Sequence, residues 1–238
     1  MPTIVFANSK GGVGKTTSAL TIAQVLTQAG STVSLLDADP NQPIKAWAAR
    51  DPERLPASLD IVPDLGETSI LDAIDDAAAR SAFVLVDLEG TASTVVAYAI
   101  GRADLVIIPL QAKQLDGKQA VRAIQLVKRQ EKAFRRRIPH TVLLTRTSAA
   151  IRSRGLRAIL EDLQAAEVNV LGVELIERGA FDAFLAYGGT LDQLDRKEVS
   201  GVDKAIENAR AYAAAVVQLL RDNERADQDH AAQGGQAR

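Results

Sequence analysis

Runs of consecutive Val, Ile and Leu alternate along the chain with longer stretches whose apolar residues return every three or four positions. The runs predict strands over Thr3–Asn8, Thr32–Leu36, Leu59–Val62, Phe83–Asp87, Leu105–Pro109 and Thr141–Thr145, and a seventh over Val168–Ile176. Several are continuous rather than alternating, as strands buried on both faces are. The longer patterns predict helices over Thr16–Ala29, Ile44–Arg50, Ile70–Arg80, Thr94–Arg102, Asp116–Phe134, Arg152–Ala165, Ala180–Ala186 and Asp203–Glu224. Such alternation specifies an α/β fold: a mostly parallel sheet with helices on both faces, binding ligands beyond the carboxyl ends of its strands. Residues 1–224 read as a single domain. Arg225–Arg238 is polar, contains Gly234-Gly235 and has no apolar period, which predicts a disordered tail.

The first strand–helix junction carries the most specific chemistry. Ile4-Val5-Phe6-Ala7 runs into Asn8-Ser9-Lys10-Gly11-Gly12-Val13-Gly14-Lys15-Thr16-Thr17, and a helical apolar spacing follows. A glycine loop between a strand and a helix N-terminus gathers free N–H groups and the positive end of the helix dipole at one point, which makes a phosphate cradle. Gly11, Gly12 and Gly14 let the backbone wrap closely around phosphates. Lys15 is spaced for the β- and γ-phosphates and the Thr16 hydroxyl for Mg²⁺. With Val13 and Thr17 these residues form the expected nucleotide site; the alternative is a glycine-rich β–α turn without a ligand. Lys10, on the opposite shoulder of the loop, is not needed for the cradle.

Two more strands deliver acids to the same edge. Val33-Ser34-Leu35-Leu36 leads into Asp37-Ala38-Asp39-Pro40, and Phe83-Val84-Leu85-Val86 into Asp87. Mg²⁺ on a triphosphate keeps most of its waters, and carboxylates hold those waters in place. Strand-end acids also serve as helix caps, and Asp39-Pro40 suits a cap or turn. Three of them beside a glycine–lysine loop favour the metal reading.

This constellation resembles the ParA/MinD superfamily of deviant-Walker P-loop ATPases, and within it the ParA-type plasmid and chromosome partition proteins. Lys-Gly-Gly-Val-Gly-Lys-Thr-Thr at 10–17 matches the family's loop residue for residue, and Asp37-Ala38-Asp39-Pro40 matches its next motif. Ile176-Glu177-Arg178-Gly179-Ala180-Phe181-Asp182-Ala183-Phe184, then Gly188-Gly189-Thr190-Leu191, is similar to the segment before its last helix. The resemblance implies a P-loop NTPase sheet, ATP hydrolysis with Mg²⁺, and a homodimer formed on ATP binding. It implies that Lys10 reaches across the dimer to the partner's phosphates, as an arginine finger does. Asp39 would position the attacking water, giving Lys10, Lys15 and Asp39 as the catalytic set, with slow turnover, and Asp37 and Asp87 would hold the magnesium environment with Thr16. A ParB-like or cargo-adaptor protein is the implied partner.

The match has departures. Many relatives carry Asp-x-Pro-Pro where this chain reads Asp87-Leu88-Glu89-Gly90-Thr91-Ala92-Ser93. Glu89 adds a carboxylate near the γ-phosphate, which either assists water positioning or partner sensing, or slows hydrolysis. Gly90 loosens a loop that proline would stiffen. Thr145-Arg146 stands where the family often has an adenine-contacting asparagine, and Thr145 keeps a hydroxyl for the base. Asn41 replaces a common glutamine. These substitutions resemble a branch of ParA-like proteins associated with plasmids and DNA transfer in proteobacteria.

Composition narrows the remaining choices. Hydrophobic residues make up 47% of the 238 and charged residues 24%, ordinary for a globular protein. With no cysteine, disulfides, thiol catalysis and thiolate metal sites are excluded. The start, Met-Pro-Thr-Ile-Val, has no basic segment or long apolar run of a signal peptide, so a cytoplasmic location is expected, and the resemblance implies association with the nucleoid when ATP is bound. The net charge of −2 hides a segregation: from Lys113 to Arg157 thirteen Lys or Arg face two acids, +11 against −13 elsewhere. Lys118, Arg122, Arg129 and Lys132 share one helical face, Arg135, Arg136 and Arg137 follow, and Arg152, Arg154 and Arg157 open the next helix. That surface suits nonspecific, salt-sensitive contact with DNA phosphates, the alternative being a solvated helix whose arginines pair with acids. MinD-type relatives end instead in a membrane-seeking helix. Here the stripe Val202, Ala205, Ile206, Ala209, Tyr212, Ala213, Val216 and Leu220 is alanine-rich with a polar face of mixed charge, so it is expected to pack on the sheet. Three functions follow: an ATP-gated DNA-binding switch, a weakly hydrolysing ATP-binding adaptor for a DNA-transfer or replication complex, and a ligase-type metabolic enzyme. Lys10 argues against the last.

Overall fold

A computed structural model describes residues 1–90, 93–111, 117–148, 154–165 and 168–235. Its sheet has seven strands: β1 (Thr3–Phe6), β2 (Val33–Ala38), β3 (Leu59–Val62), β4 (Phe83–Leu88), β5 (Leu105–Gln111), β6 (His140–Thr147) and β7 (Leu175–Ile176). They lie in the order β3-β2-β4-β1-β5-β6-β7, and every pairing is parallel. β1 is therefore central, flanked by β4 and β5. The seventh strand is much shorter than the pattern over Val168–Ile176 predicts. Val170 makes only an isolated bridge to Val142, and the register shifts between Thr145 and Thr147 where β7 joins. An edge strand with Gly172 inside its run has few constraints holding it in one register.

Eight helices are described: α1 (Lys15–Gln28), α2 (Pro43–Ala48), α3 (Ile70–Arg80), α4 (Thr94–Arg102), α5 (Gly117–Phe134), α6 (Arg154–Ala165), α7 (Gly179–Tyr187) and α8 (Val202–Gly235). Successive strand residues point to opposite faces, and the core divides accordingly. Ile4, Phe6, Leu35, Leu85 and Ile107 pack with α1, α2, α7 and α8. Val5, Leu36, Val84, Val86 and Ile108 pack with α3, α4, α5 and α6. Strands so buried on both sides explain the unbroken Val, Ile and Leu runs.

The α8 stripe packs as expected: Val202, Ala205, Ala209, Tyr212, Ala213, Val216 and Leu220 are buried against the sheet face that carries α1. Its small alanines let α8 lie close to α1. The helix runs past the Glu224 that its apolar pattern marks, and α8 ends at Gly235. Helix propagation is cheap once a long helix is nucleated, and Ala, Arg, Gln and Glu beyond residue 220 are compatible with it. Residues 236–238 lie outside the described chain. Among the described residues no helix is long and apolar enough to cross a membrane.

Candidate functional site

The strand order brings the carboxyl ends of β1, β2 and β4 together, with Phe6 beside Asp87 and Asp37 beside Asp87 in register. The glycine loop leaves β1 at this edge. Gly14, the N-cap of α1, stands in the left-handed region at φ 96°, and no side chain bonds the first N–H groups of the helix. Those groups have no intrahelical acceptor, so this end is open to an anion. Gly12 has φ 73°, which also favours glycine.

Lys15 is only 7% exposed and donates its ammonium to the Lys10 carbonyl at 3.3 Å, a long bond easily exchanged for a phosphate oxygen. Burial lowers the Lys15 pKa, while Asp87, Asp39 and Glu89 oppose that shift. Thr16 Oγ1 donates to Asp87 Oδ2 at 2.6 Å. Asp87 is fully buried and its Oδ1 has no partner. Burial, reinforced by Asp37 and Asp39, pushes its carboxyl up to about 7 against the pull of Thr16 and Lys15.

Asp37 divides its two oxygens. Oδ2 accepts the N–H groups of Ile44 at 2.9 Å and Lys45 at 3.0 Å, capping α2, whereas Oδ1 is buried without a partner. Burial raises this carboxyl too. Asp39 is half-buried, and its Oδ1 accepts from the backbone and side-chain amides of Asn41 at 2.9 and 3.0 Å. Two unpaired carboxylate oxygens beside a threonine hydroxyl are the donor set a hard cation takes. Among the described residues no three acidic or histidine side chains could hold an ion unaided. These residues therefore fit Mg²⁺ that arrives with phosphate oxygens and water, rather than a resident protein-only metal.

Asn8, which the sequence reading passed over, fixes the loop's other shoulder. It is buried, donates Nδ2 to the Pro109 carbonyl of β5 at 2.7 Å and accepts the Lys10 N–H at 3.0 Å. Gly90 packs beside the same segment: a Cβ there would stand 3.4 Å from the Lys10 carbonyl carbon and the Gly11 nitrogen, an ordinary contact. Lys10 itself is half-buried on this braced segment.

Beside Gly14 and Thr17 opens a cleft with Thr145, Arg146, Arg178 and Phe181 on its walls. Thr145 donates its hydroxyl to the Val13 carbonyl at 2.7 Å, so the proton expected to serve a base is committed to bracing the loop. Arg178, the N-cap of α7, has a buried Nε without a partner; its place in the late motif was the only sequence signal for it. Two glycines of that motif are structural. Gly188 and Gly189 have φ 79° and 70°, and a Cβ on Gly189 would lie 2.5 Å from Gln193 Oε1.

The basic residues divide. Arg122, Arg129 and Lys132 are exposed on α5, opposite the buried Ala123, Ile124 and Val127. Arg157 is exposed on α6. The side chains of Lys118 and Arg154, and all of Arg152, lie outside the described residues. Arg135, Arg136 and Arg137 follow α5 and precede β6, which places them at the amino edge of the sheet, away from the glycine loop. Arg136 donates to the Ala103 carbonyl and Arg137 lies 3.8 Å from Asp227 of α8. Of these three, Arg137 is the one with a recorded acidic neighbour, and that pair is exposed and at the outer limit of an ion pair.

Comparison with known proteins then decides the family: the model of the VirC1 protein matches residues 1–220. The chain belongs to the VirC1 family. Within the ParA/MinD type of P-loop proteins to which that family is allied, it is 38% identical over 220 residues to protein ParA of Rhizobium radiobacter, covering 92% of this chain and 98% of that one. Its fold is also that of Cyanothece McdA(D38A) in complex with ATP, with TM-score 0.71 and 17% identity over 91% of this chain and 96% of that one. Cobyrinic acid a,c-diamide synthase from Mycobacterium smegmatis, with bound ATP analog and magnesium, gives TM-score 0.69 and 19% identity over 92% and 94%. McdA and a cobyrinic acid a,c-diamide synthase thus share this fold about equally well, so the fold alone does not choose a function.

Proposed function

We propose that the chain is an ATP-dependent dimerising switch that binds DNA nonspecifically and hydrolyses ATP slowly to segregate or position DNA or another cargo. The observation that carries this reading is the two-lysine loop: Lys15 is buried at the open end of α1, and Lys10 stands on a shoulder braced by Asn8. The first lysine suits the nucleotide of its own subunit. The second is surplus to that pocket and suits a neighbour's. The ATP analog and magnesium bound by the cobyrinic acid relative support ATP and Mg²⁺ as the ligands here.

In this reading the glycine loop and the first turn of α1 wrap the phosphates, and Lys15 leaves the Lys10 carbonyl for the β- and γ-oxygens. Thr16, Asp87 and the free oxygen of Asp37 hold the metal environment. Magnesium, when bound, neutralises charge on the triphosphate. Asp39 orients the attacking water, since in-line displacement needs a placed water more than a strong base. Lys10 of the second copy completes the pocket, so hydrolysis weakens the dimer. The exposed Arg122, Arg129, Lys132 and Arg157 contact DNA phosphates, with Lys118, Arg152 and Arg154 expected to join them. A ParB-like or cargo-adaptor protein sets the timing, and the switch works in the cytoplasm, on the nucleoid while ATP is bound.

ATP turnover and DNA retention are measured with and without DNA, at low and high salt, for wild type, Lys10→Ala and Asp39→Ala. Salt-sensitive, ATP-dependent DNA retention that Lys10→Ala abolishes is the expected result, with Asp39→Ala trapped as an ATP dimer. Turnover indifferent to DNA but driven by a small carboxylate substrate refutes the switch. Parental hydrolysis by Asp39→Ala removes the water-positioning role.

A further inference from the structure

Glu89 is the one departure in the loop after β4 that the proposed chemistry leaves without a task. Its position is well determined by its neighbours. Asp87, two residues before it, reaches Thr16 at the foot of α1. Leu88, between them, is buried in the opposite core. Gly90, immediately after it, lies against the backbone of Lys10 and Gly11. The half-buried Glu89 is thus held at the junction of the two lysine-bearing segments, and its charge acts on the Lys15 ammonium together with those of Asp87 and Asp39.

Among the described residues, the carboxylates Asp39, Asp87 and Glu89 all act on the Lys15 ammonium, and Asp37 stands beside Asp87 in register, with Arg146 and Arg178 on the neighbouring cleft. The metal and the water account for the three aspartates; Glu89 adds a fourth negative charge where phosphates of like sign must sit. Like charges at short range in a partly desolvated site oppose each other strongly. The opposition is relieved most directly by one more cation.

We propose that Glu89 is a charge gate: it holds the affinity of a single subunit for Mg–ATP down until the Lys10 of a second copy of this chain neutralises the pocket. The gate rests on the dimerising-switch reading and adds a reason for its ATP dependence. Without Glu89 one subunit would retain triphosphate alone, and nucleotide binding would no longer report on pairing.

The test is Mg–ATPγS binding to the full chain by calorimetry, at protein concentrations where sedimentation shows monomer, for wild type, Glu89→Gln, Glu89→Asp and Lys15→Ala. Glu89→Gln is expected to bind roughly 10-fold more tightly, the order expected for one unit charge removed within several ångströms of the phosphates. The gain shrinks as salt rises. Glu89→Asp, which keeps the charge, stays at wild-type affinity, and thermal unfolding confirms that both variants fold. The same gain in a Lys10→Ala background places the effect within one subunit. Unchanged or weaker binding by Glu89→Gln overturns the gate, as does lower turnover of bound ATP at unchanged affinity, which would make Glu89 a water-positioning group. Should wild type bind no nucleotide that Lys15→Ala loses, the nucleotide-site reading itself falls and the gate with it.

Discussion

Replacing Asp87 with Asn is expected to stabilise the nucleotide-free protein while destroying its response to Mg–ATP. Asp87 is fully buried, bonded through one oxygen to Thr16, and unpaired at the other. Its carboxyl titrates near 7 rather than at the ordinary 3.8, chiefly because burial penalises the charge. At about 1.36 kcal/mol per unit, a shift of some three units corresponds to roughly 4 kcal/mol of lost stability once the group is ionised. Asn keeps an acceptor for Thr16 but turns an amide N–H₂ toward the space where Oδ1 has no partner, which costs about 1–3 kcal/mol. The net gain is therefore about 2 kcal/mol, or some 4–8 °C in a chain of this size.

The sign of the pH dependence follows from the raised carboxyl. Below the unfolded-state value near 4 both states are protonated and the aspartate carries no penalty. Stability is lost as pH rises through about 7, so the advantage of Asp87→Asn grows over that window and is complete near pH 8. Thermal unfolding of both proteins at about pH 5 and about pH 8, with and without Mg–ATP, measures it. Nucleotide at 100 times its Kd adds about 2.7 kcal/mol to wild type and little to the variant, reversing their order. A nucleotide-free Asp87→Asn protein less stable than wild type at pH 8 would refute the reasoning.

Other substitutions probe other parts of the molecule. Changing Arg122, Arg129 and Lys132 together to Ala lowers the slope of log affinity for DNA against log salt by roughly 3, at about 0.9 per phosphate contact, with Mg–ATP binding unchanged. An unaltered slope in a filter or anisotropy titration removes α5 from the DNA surface. Gly189→Ala sets a Cβ 2.5 Å from Gln193 Oε1 at φ 70°, and about 1–3 kcal/mol of stability should be lost in urea with the m-value retained. Thr145→Val leaves the Val13 carbonyl without its donor, costing about 1–3 kcal/mol and weakening ATP and GTP alike. A selective loss of ATP would instead return Thr145 to the base.

Much of the fold is written in local pattern. Continuous apolar runs and helical spacing depend on neighbours a few residues away, so the first six strands and nearly every helix were legible to within a few residues. The glycine loop was legible for the same reason: its conformation and its open helix end are properties of ten consecutive residues. Resemblance added Lys10 as a trans-acting group, a role no local feature specifies. The length of α8 past Glu224 was missed because a helix can propagate through a polar segment that has no stripe to announce it.

The sequence by itself determined which chemical groups stand at the strand ends. What each of them does there was decided by the tertiary structure, because a side chain's partners come from strands and helices far away in the chain. Asp87 meets Thr16 across 71 residues, and it lies beside Asp37 because β2 pairs with β4. Thr145 braces a loop 132 residues earlier, and Asn8 is held by a carbonyl 101 residues later. Arg136 and Arg137, equivalent to Arg135 in a list of charges, are drawn to Ala103 and Asp227 by the way α5 and α8 end at the same edge. Burial is likewise a property of the whole fold, and it turns Asp87 from an ordinary acid into one with an unmet demand for a cation.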